Sequence, residues 1–160
     1  RHYYLQVVQH PQKAAEFGPS SLSRLPLAPP PVVQLIVRDN TGNPIDDEAE
    51  IPFLVAHLSI FSADGSRQLD TTPGPGGERL LYGNLVSSPH RLRDLQGKHG
   101  IFFLFPDVSV RERGSYQLGV TLMSVARSVH PRCYSPPLRF LGRRLGGRGG
   151  DRVPLHSARG

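Results

Sequence analysis

Proline and glycine interrupt this chain so often that a long helix has little room. Sixteen Pro and seventeen Gly make up about a fifth of its 160 residues. Between them lie short runs rich in Val, Ile, Leu and Phe, which read as strands joined by turns. Six or seven such runs, with no convincing long helix, predict an all-β fold with a sandwich as the leading architecture. The length suits one ordinary domain and is enough to bury a core without disulfide or metal.

The runs are specific. YYLQVVQ (Tyr3–Gln9) puts Tyr3, Leu5 and Val7 on one face of a first strand. A loop follows, and the triple proline Pro29, Pro30, Pro31 leads, extended, into VVQLIVRD (Val32–Asp39). IPFLVAHLSIFS (Ile51–Ser62) is apolar on both faces, as a central strand would be. A strand is expected within Leu80–Ser87, then a polar turn RDLQGKHG, a buried strand GIFFLF (Gly100–Phe105), and an alternating strand over Ser115–Val125. RCYSPPLRFL has room for one more. The Gly/Arg-rich 142–160 cannot bury enough apolar surface to order itself and reads as a disordered basic tail. The domain division is therefore a sandwich over 1–126, reaching about 141 at most, and a tail over 142–160.

Charge follows the same division. The net charge is +6, yet residues 127–160 carry eight Arg against one acid, Asp151, while 1–126 are near neutral. A nucleic-acid argument from the overall charge is thus an argument from the tail. One cysteine, Cys133, cannot form an intramolecular disulfide, which suits cytosol or nucleus. No stretch of about 18 apolar residues occurs, so no membrane span is expected. The first residues, RHYYLQVVQH, lack the apolar core of a signal peptide.

Catalysis finds no footing. The seven His include no i, i+4 pair around a Glu, and there is no Cys pair, so neither zinc motif is present. Asp46, Asp47, Glu48 and Glu50 form an acidic loop without the Gly and terminal Glu of an EF-hand. No Ser sits in a G-x-S-x-G elbow. No catalytic residue, metal site, cofactor or small-molecule substrate is expected. Ser87-Ser88-Pro89 reads as a phosphorylation site or as a plain strand-ending turn.

ERGSYQL (Glu112–Leu118) carries a further structural signal. Tyr116 follows a Gly-containing turn and precedes by two residues the position where secreted immunoglobulin-like domains place a cysteine, here Leu118. It is either a tyrosine corner or a Tyr buried on an antiparallel strand; the pattern alone leaves both open.

Three blocks then resemble one family. YYLQVVQHP with AA shortly after, LAPPPVVQLIV, and LVSSPHRLRDLQGKHGIFFLFPDVSVRERGSYQLGVTL occur in order. Together they are similar to the velvet domain of fungal transcriptional regulators, over roughly Tyr3 to Val125. The resemblance implies a Rel-homology-like, immunoglobulin-like β-sandwich. It implies homo- or heterodimers with other velvet-domain proteins, action in the nucleus with shuttling from the cytoplasm, and roles in development, sporulation and secondary metabolism. DNA-binding members carry a basic cluster between the first strand and the triple proline. The equivalent loop here, KAAEFGPSSLSRLPLA, holds only Lys13 and Arg24 against Glu16. Arg91, Arg93 and Lys98, with His99, lie before GIFFLF and supply a second basic group, and Arg111 and Arg113 flank the corner. The DNA-binding candidates are therefore Lys13, Arg24, Arg91, Arg93 and Lys98, weighed against ordinary solvated turn residues. Two functions stay open: a dimeric DNA-binding regulator, or an interaction subunit that pairs with a more basic velvet protein and touches no DNA. The tail reads as a nucleic-acid-binding arm or as an altered reading frame.

Overall fold

A computed structural model describes residues 1–12, 25–46, 49–71, 74–112, 114–125, 132–133 and 138–142. Lys13, Arg24, Arg113 and the tail beyond Gly142 lie outside the described residues. The described chain is built from strands and one short 3-10 turn.

The first sheet joins β1 (His2–Gln9), β2 (Val32–Arg38), β7 (His99–Leu104) and β6 (His90–Arg93), in the order β1-β2-β7-β6. All neighbours are antiparallel. Alternation decides which residues face inward. Leu5 of β1, Val33, Leu35 and Val37 of β2, and Ile101 and Phe103 of β7 are buried in one core cluster, with Tyr3 and Val7 packed against it.

The second sheet centres on β3 (Leu54–Ser62) and β9 (Tyr116–Ser124), paired over nine residues from Leu54↔Ser124 to Ser62↔Tyr116. Leu54, Ala56, Leu58 and Ile60 face Leu118, Val120 and Leu122 in the same cluster. Burying each of the Leu, Ile and Val side chains among them contributes about 1.5–3 kcal/mol, so this seam is a main source of stability. The predicted start of β3 differs: Ile51–Phe53 form a 3-10 turn with Pro52 in its first positions, and the strand begins at Leu54. His57 lies on the outer face of β3, its Nδ1 3.3 Å from the Ser59 hydroxyl. On the far edge of β9 two pieces pair in line, β10 (Arg132–Cys133) and β11 (Leu138–Gly142).

The expected strand within Leu80–Ser87 is two strands. β4 (Leu81–Gly83) pairs with β8 (Val108–Val110), and β5 (Val86–Ser87) pairs with β3. Gly83 is the reason for the break. Its φ of +111° belongs to glycine, and a methyl there would run into the Asp107 carbonyl. The chain then crosses between sheets within Ser88-Pro89, and Ser87 ties the crossing. Its hydroxyl accepts from the Leu104 amide (2.9 Å) and donates to the Ser88 carbonyl (3.0 Å).

The triple proline closes the other end of the first sheet. The Ala28-Pro29 bond is cis. The Gln9 side-chain amide donates to the Pro30 carbonyl (2.7 Å), and the Phe105 amide donates to the Pro31 carbonyl (3.1 Å). Pro31 is fully buried. Tyr116 opens β9 with its ring folded back over Gly114, half-buried against the core. Burial, with the nearby Glu112 charge adding to it, raises the phenol above its usual pKa of 10.0.

Candidate nucleic-acid interface

The basic residues of the central block are gathered on one hairpin. His90–Arg93 pair with His99–Phe102, so Arg91 and Arg93 sit on an edge strand rather than in the loop the sequence suggests. All four residues of β6 are exposed. An edge strand dense in charge is also how a sheet avoids pairing with another chain.

Asp94 makes the turn. Its backbone amide donates to the Lys98 carbonyl (2.8 Å), and the Gly97 amide donates back to the Asp94 carbonyl (3.0 Å). Its carboxylate accepts from the amides of Gln96 (2.9 Å) and Lys98 (2.8 Å). Gly97 takes the left-handed conformation, φ +79°, that this turn needs. The carboxylate beside Lys98 is thus committed to the backbone.

The same device recurs after β2. The Asp39 amide donates to the Asn43 carbonyl (2.9 Å) and the Gly42 amide to the Asp39 carbonyl (3.1 Å), with Gly42 at φ +88°. The Asp39 carboxylate accepts from the Thr41 amide (2.8 Å), the Thr41 hydroxyl (2.7 Å) and the Asn43 amide (2.9 Å). Those bonds, the Thr41 hydroxyl first, hold its pKa below the usual 3.8. D-x-x-G is therefore a repeated turn unit, legible at 39–42 and 94–97.

Register brings the two turns to one end of the sheet. His2 pairs with Arg38, and Arg93 with His99, on strands joined through β2 and β7. Arg38 comes to the same end by this route, on the outer face of the sheet, across from Arg91 and Arg93. Its guanidinium donates to the Gly42 carbonyl (2.9 Å) and lies 6.0 Å from the Tyr4 ring centroid. Tyr4, Gln6, Ile36, Arg38 and Gly42 line a shallow dish on the outer face of the sheet. Nothing in local composition marks Arg38; only the β1–β2–β7 register does.

Negative charge is close by. Asp46 lies 3.8 Å from Arg91, with both side chains exposed. Glu50 accepts from the Tyr3 hydroxyl (3.3 Å). Arg111 does not belong to the interface. It is buried, 2.7 Å from the Glu78 carboxylate, with Nε donating to the Arg79 carbonyl (3.1 Å) and its guanidinium 5.5 Å from the Tyr82 ring centroid. Its backbone amide donates to the Leu80 carbonyl (2.8 Å). Arg111 clamps the segment that leads into β4.

Arg91 and Arg93 lie on the side of the sheet edge that Ile101 shares with the core, and Arg38 on the outer face at the same end, so cationic charge is exposed on both sides of this end of the sheet, as phosphate attraction requires. This end gathers three of the five predicted DNA contacts; the other two, Lys13 and Arg24, fall outside the described residues.

Comparison with known proteins places this sandwich. Residues 3–76 and 69–139 match the velvet factor family. The sexual development regulator VELC of Pyricularia oryzae is 35% identical over 126 residues, covering 77% of this chain and 28% of the relative. The spore development regulator vosA of Cochliobolus sativus is 34% identical over 126 residues, 78% of this chain and 35% of the relative. A protein of Chaetomium globosum that is named as a velvet complex subunit is 34% identical over 136 residues, 82% of this chain and 28% of the relative. The chain spans about a quarter to a third of the length of these relatives. With most of its length matched, from the first strand to the start of β11, the chain belongs to the velvet factor family.

Proposed function

We propose that this chain is the sandwich domain of a nuclear regulator of fungal development, sporulation and secondary metabolism. In this reading it is not an enzyme. It works as a dimer with another velvet protein and contacts DNA through the β6–β7 hairpin. The relatives' names speak for developmental regulation, and one of them is named as part of a velvet complex. The observation that carries the DNA part is the hairpin. It exposes Arg91, Arg93 and Lys98 together while the neighbouring Asp94 carboxylate is held by backbone amides. Long cationic side chains on a rigid turn suit phosphate contacts, which position a protein on DNA.

A second reading is an interaction subunit that leaves DNA to a more basic partner. Asp46 beside Arg91 favours it, as does a first loop whose only basic residues are Lys13 and Arg24. Selection from random duplex DNA decides between them, using the full chain alone and mixed with a velvet-domain partner. Enrichment of one sequence by the chain alone supports the first reading. Enrichment only with the partner, unchanged when Arg91, Arg93 and Lys98 are replaced by Gln, supports the second.

A further inference from the structure

The crossing between the two sheets carries a motif that the proposed DNA contact does not use. Three Ser/Thr-Pro pairs occur in the chain, at Thr72, Ser88 and Ser135. Only Ser88-Pro89-His90-Arg91 adds a basic residue three positions after the acceptor; the other two have Pro75 and Leu138 there. A proline next to the acceptor and a cation at the third position are the features that proline-directed, cyclin-dependent-type serine kinases select.

The structure separates the two serines of this motif. Ser87 is buried, and its hydroxyl is engaged by the Leu104 amide and the Ser88 carbonyl. Ser88 is exposed and lies outside any strand. On one side β5 is two residues long; on the other β6 is an edge strand. A kinase needs several residues drawn out as an extended chain. Local opening of a two-residue strand and an edge is among the least costly that a sandwich offers.

We infer that Ser88 is a phosphorylation site for a kinase of this class, and that phosphate there opposes the cationic hairpin. The second half rests on the DNA reading above. In the transfer, the Ser88 Oγ attacks the γ-phosphorus of ATP and the new P–O bond forms. The bond to the bridging β–γ oxygen breaks, ADP leaves, and the hydroxyl proton passes to the kinase's catalytic carboxylate. The modified serine carries about −1.5 to −2 charge at pH 7. It stands three residues from Arg91, at most about 10 Å along an extended chain, which is about one Debye length at 0.1 M salt. The phosphate therefore competes with DNA for Arg91 and Arg93.

The test uses the full 160-residue chain, a cyclin-dependent-type kinase and Mg-ATP, with the site mapped by mass spectrometry. Phosphate at Ser88, lost in Ser88→Ala, is the expected result. Phosphate only at Thr72 or Ser135 overturns the assignment. So does an unmodified Ser88 in the folded chain under conditions that modify a peptide spanning 84–95. The modified chain is then compared with the unmodified chain on a short duplex at two salt concentrations. A loss of about three- to tenfold in affinity at low salt, shrinking at high salt, is expected, with unmodified Ser88→Ala equal to the parent. Equal affinity with and without phosphate overturns the opposing role. If the unmodified chain does not bind duplex DNA, the interface reading fails on its own. The phosphorylated chain must still elute from heparin at lower salt for this inference to survive.

Discussion

Replacing Arg111 by Met tests whether the buried guanidinium is a clamp. Met keeps much of the aliphatic volume and removes the charge and all side-chain donors. The partner Glu78 is 58% exposed, so it returns to water at little cost and the ion pair itself is worth little. The Arg79 carbonyl loses its Nε donor, about 1 kcal/mol. The stacking over Tyr82 adds about 1 kcal/mol more. The expected loss is about 2–3 kcal/mol. Arg111→Lys keeps the charge but not the planar fork, so it recovers less than half. Glu78→Gln costs under about 1 kcal/mol. The chain has no Trp, so urea unfolding is best followed by far-UV circular dichroism. With a slope of about 2 kcal/mol/M, Arg111→Met lowers the midpoint by about 1–1.5 M. A midpoint within about 0.2 M of the parent, or Glu78→Gln costing as much as Arg111→Met, refutes the clamp.

Gly83→Ala forces a side chain into φ +111° and against the Asp107 carbonyl, so a loss of about 2–3 kcal/mol or failure to fold is expected by thermal melting. Ser87→Ala leaves the Leu104 amide without its acceptor where the sheets cross, and costs about 1–3 kcal/mol in the same assay. The Asp64 carboxylate is held at about 2 by the hydroxyl of Ser62 first, then by the amide and hydroxyl of Ser66. Its folded pKa lies below the usual 3.8, so its contribution is present above that value and is lost as pH falls from about 4 to about 2. Asp64→Asn therefore lowers the urea midpoint at pH 5 more than at pH 2, and an equal shift at both pH values contradicts this. Burial of Tyr116 means its phenol ionises above 10.0, so Tyr116→Phe removes one tyrosine's share of the absorbance titration from above that pH, and a loss centred at or below 10.0 contradicts this.

The strands that carry the core were legible because they alternate or form short apolar, β-branched runs. Tyr3–Gln9, Val32–Asp39, Gly100–Phe105 and Ser115–Val125 each match a strand to within a residue or so. The strands that were not legible lack a pattern to read. His90–Arg93 is an edge strand with every residue exposed, so no alternation survives and the run looks like a turn. Val108–Val110 is buried at all three positions, Ser109 included, and three residues cannot show a period. The run around Leu80–Ser87 reads as continuous, since a positive φ at Gly83 leaves no trace in hydrophobicity. Among site residues, Arg91, Arg93 and Lys98 were visible as a local cluster. Arg38 needed the sheet register, and Arg111 could be told from a surface arginine only by its burial under Tyr82 and Glu78.

The proposed contact of the hairpin with DNA is tested most directly by the salt dependence of duplex binding. The full chain is compared with the Arg91→Gln, Arg93→Gln, Lys98→Gln triple variant on one duplex, from low to moderate salt. The basic tail is common to both proteins and cancels in the comparison. Each phosphate contact contributes about 0.9 to the slope of log K against log salt. The account predicts that the triple variant's slope is shallower by about 2–3, with the fold intact by circular dichroism. Equal slopes and affinities would contradict it and leave DNA contact to other parts of the chain or to a partner.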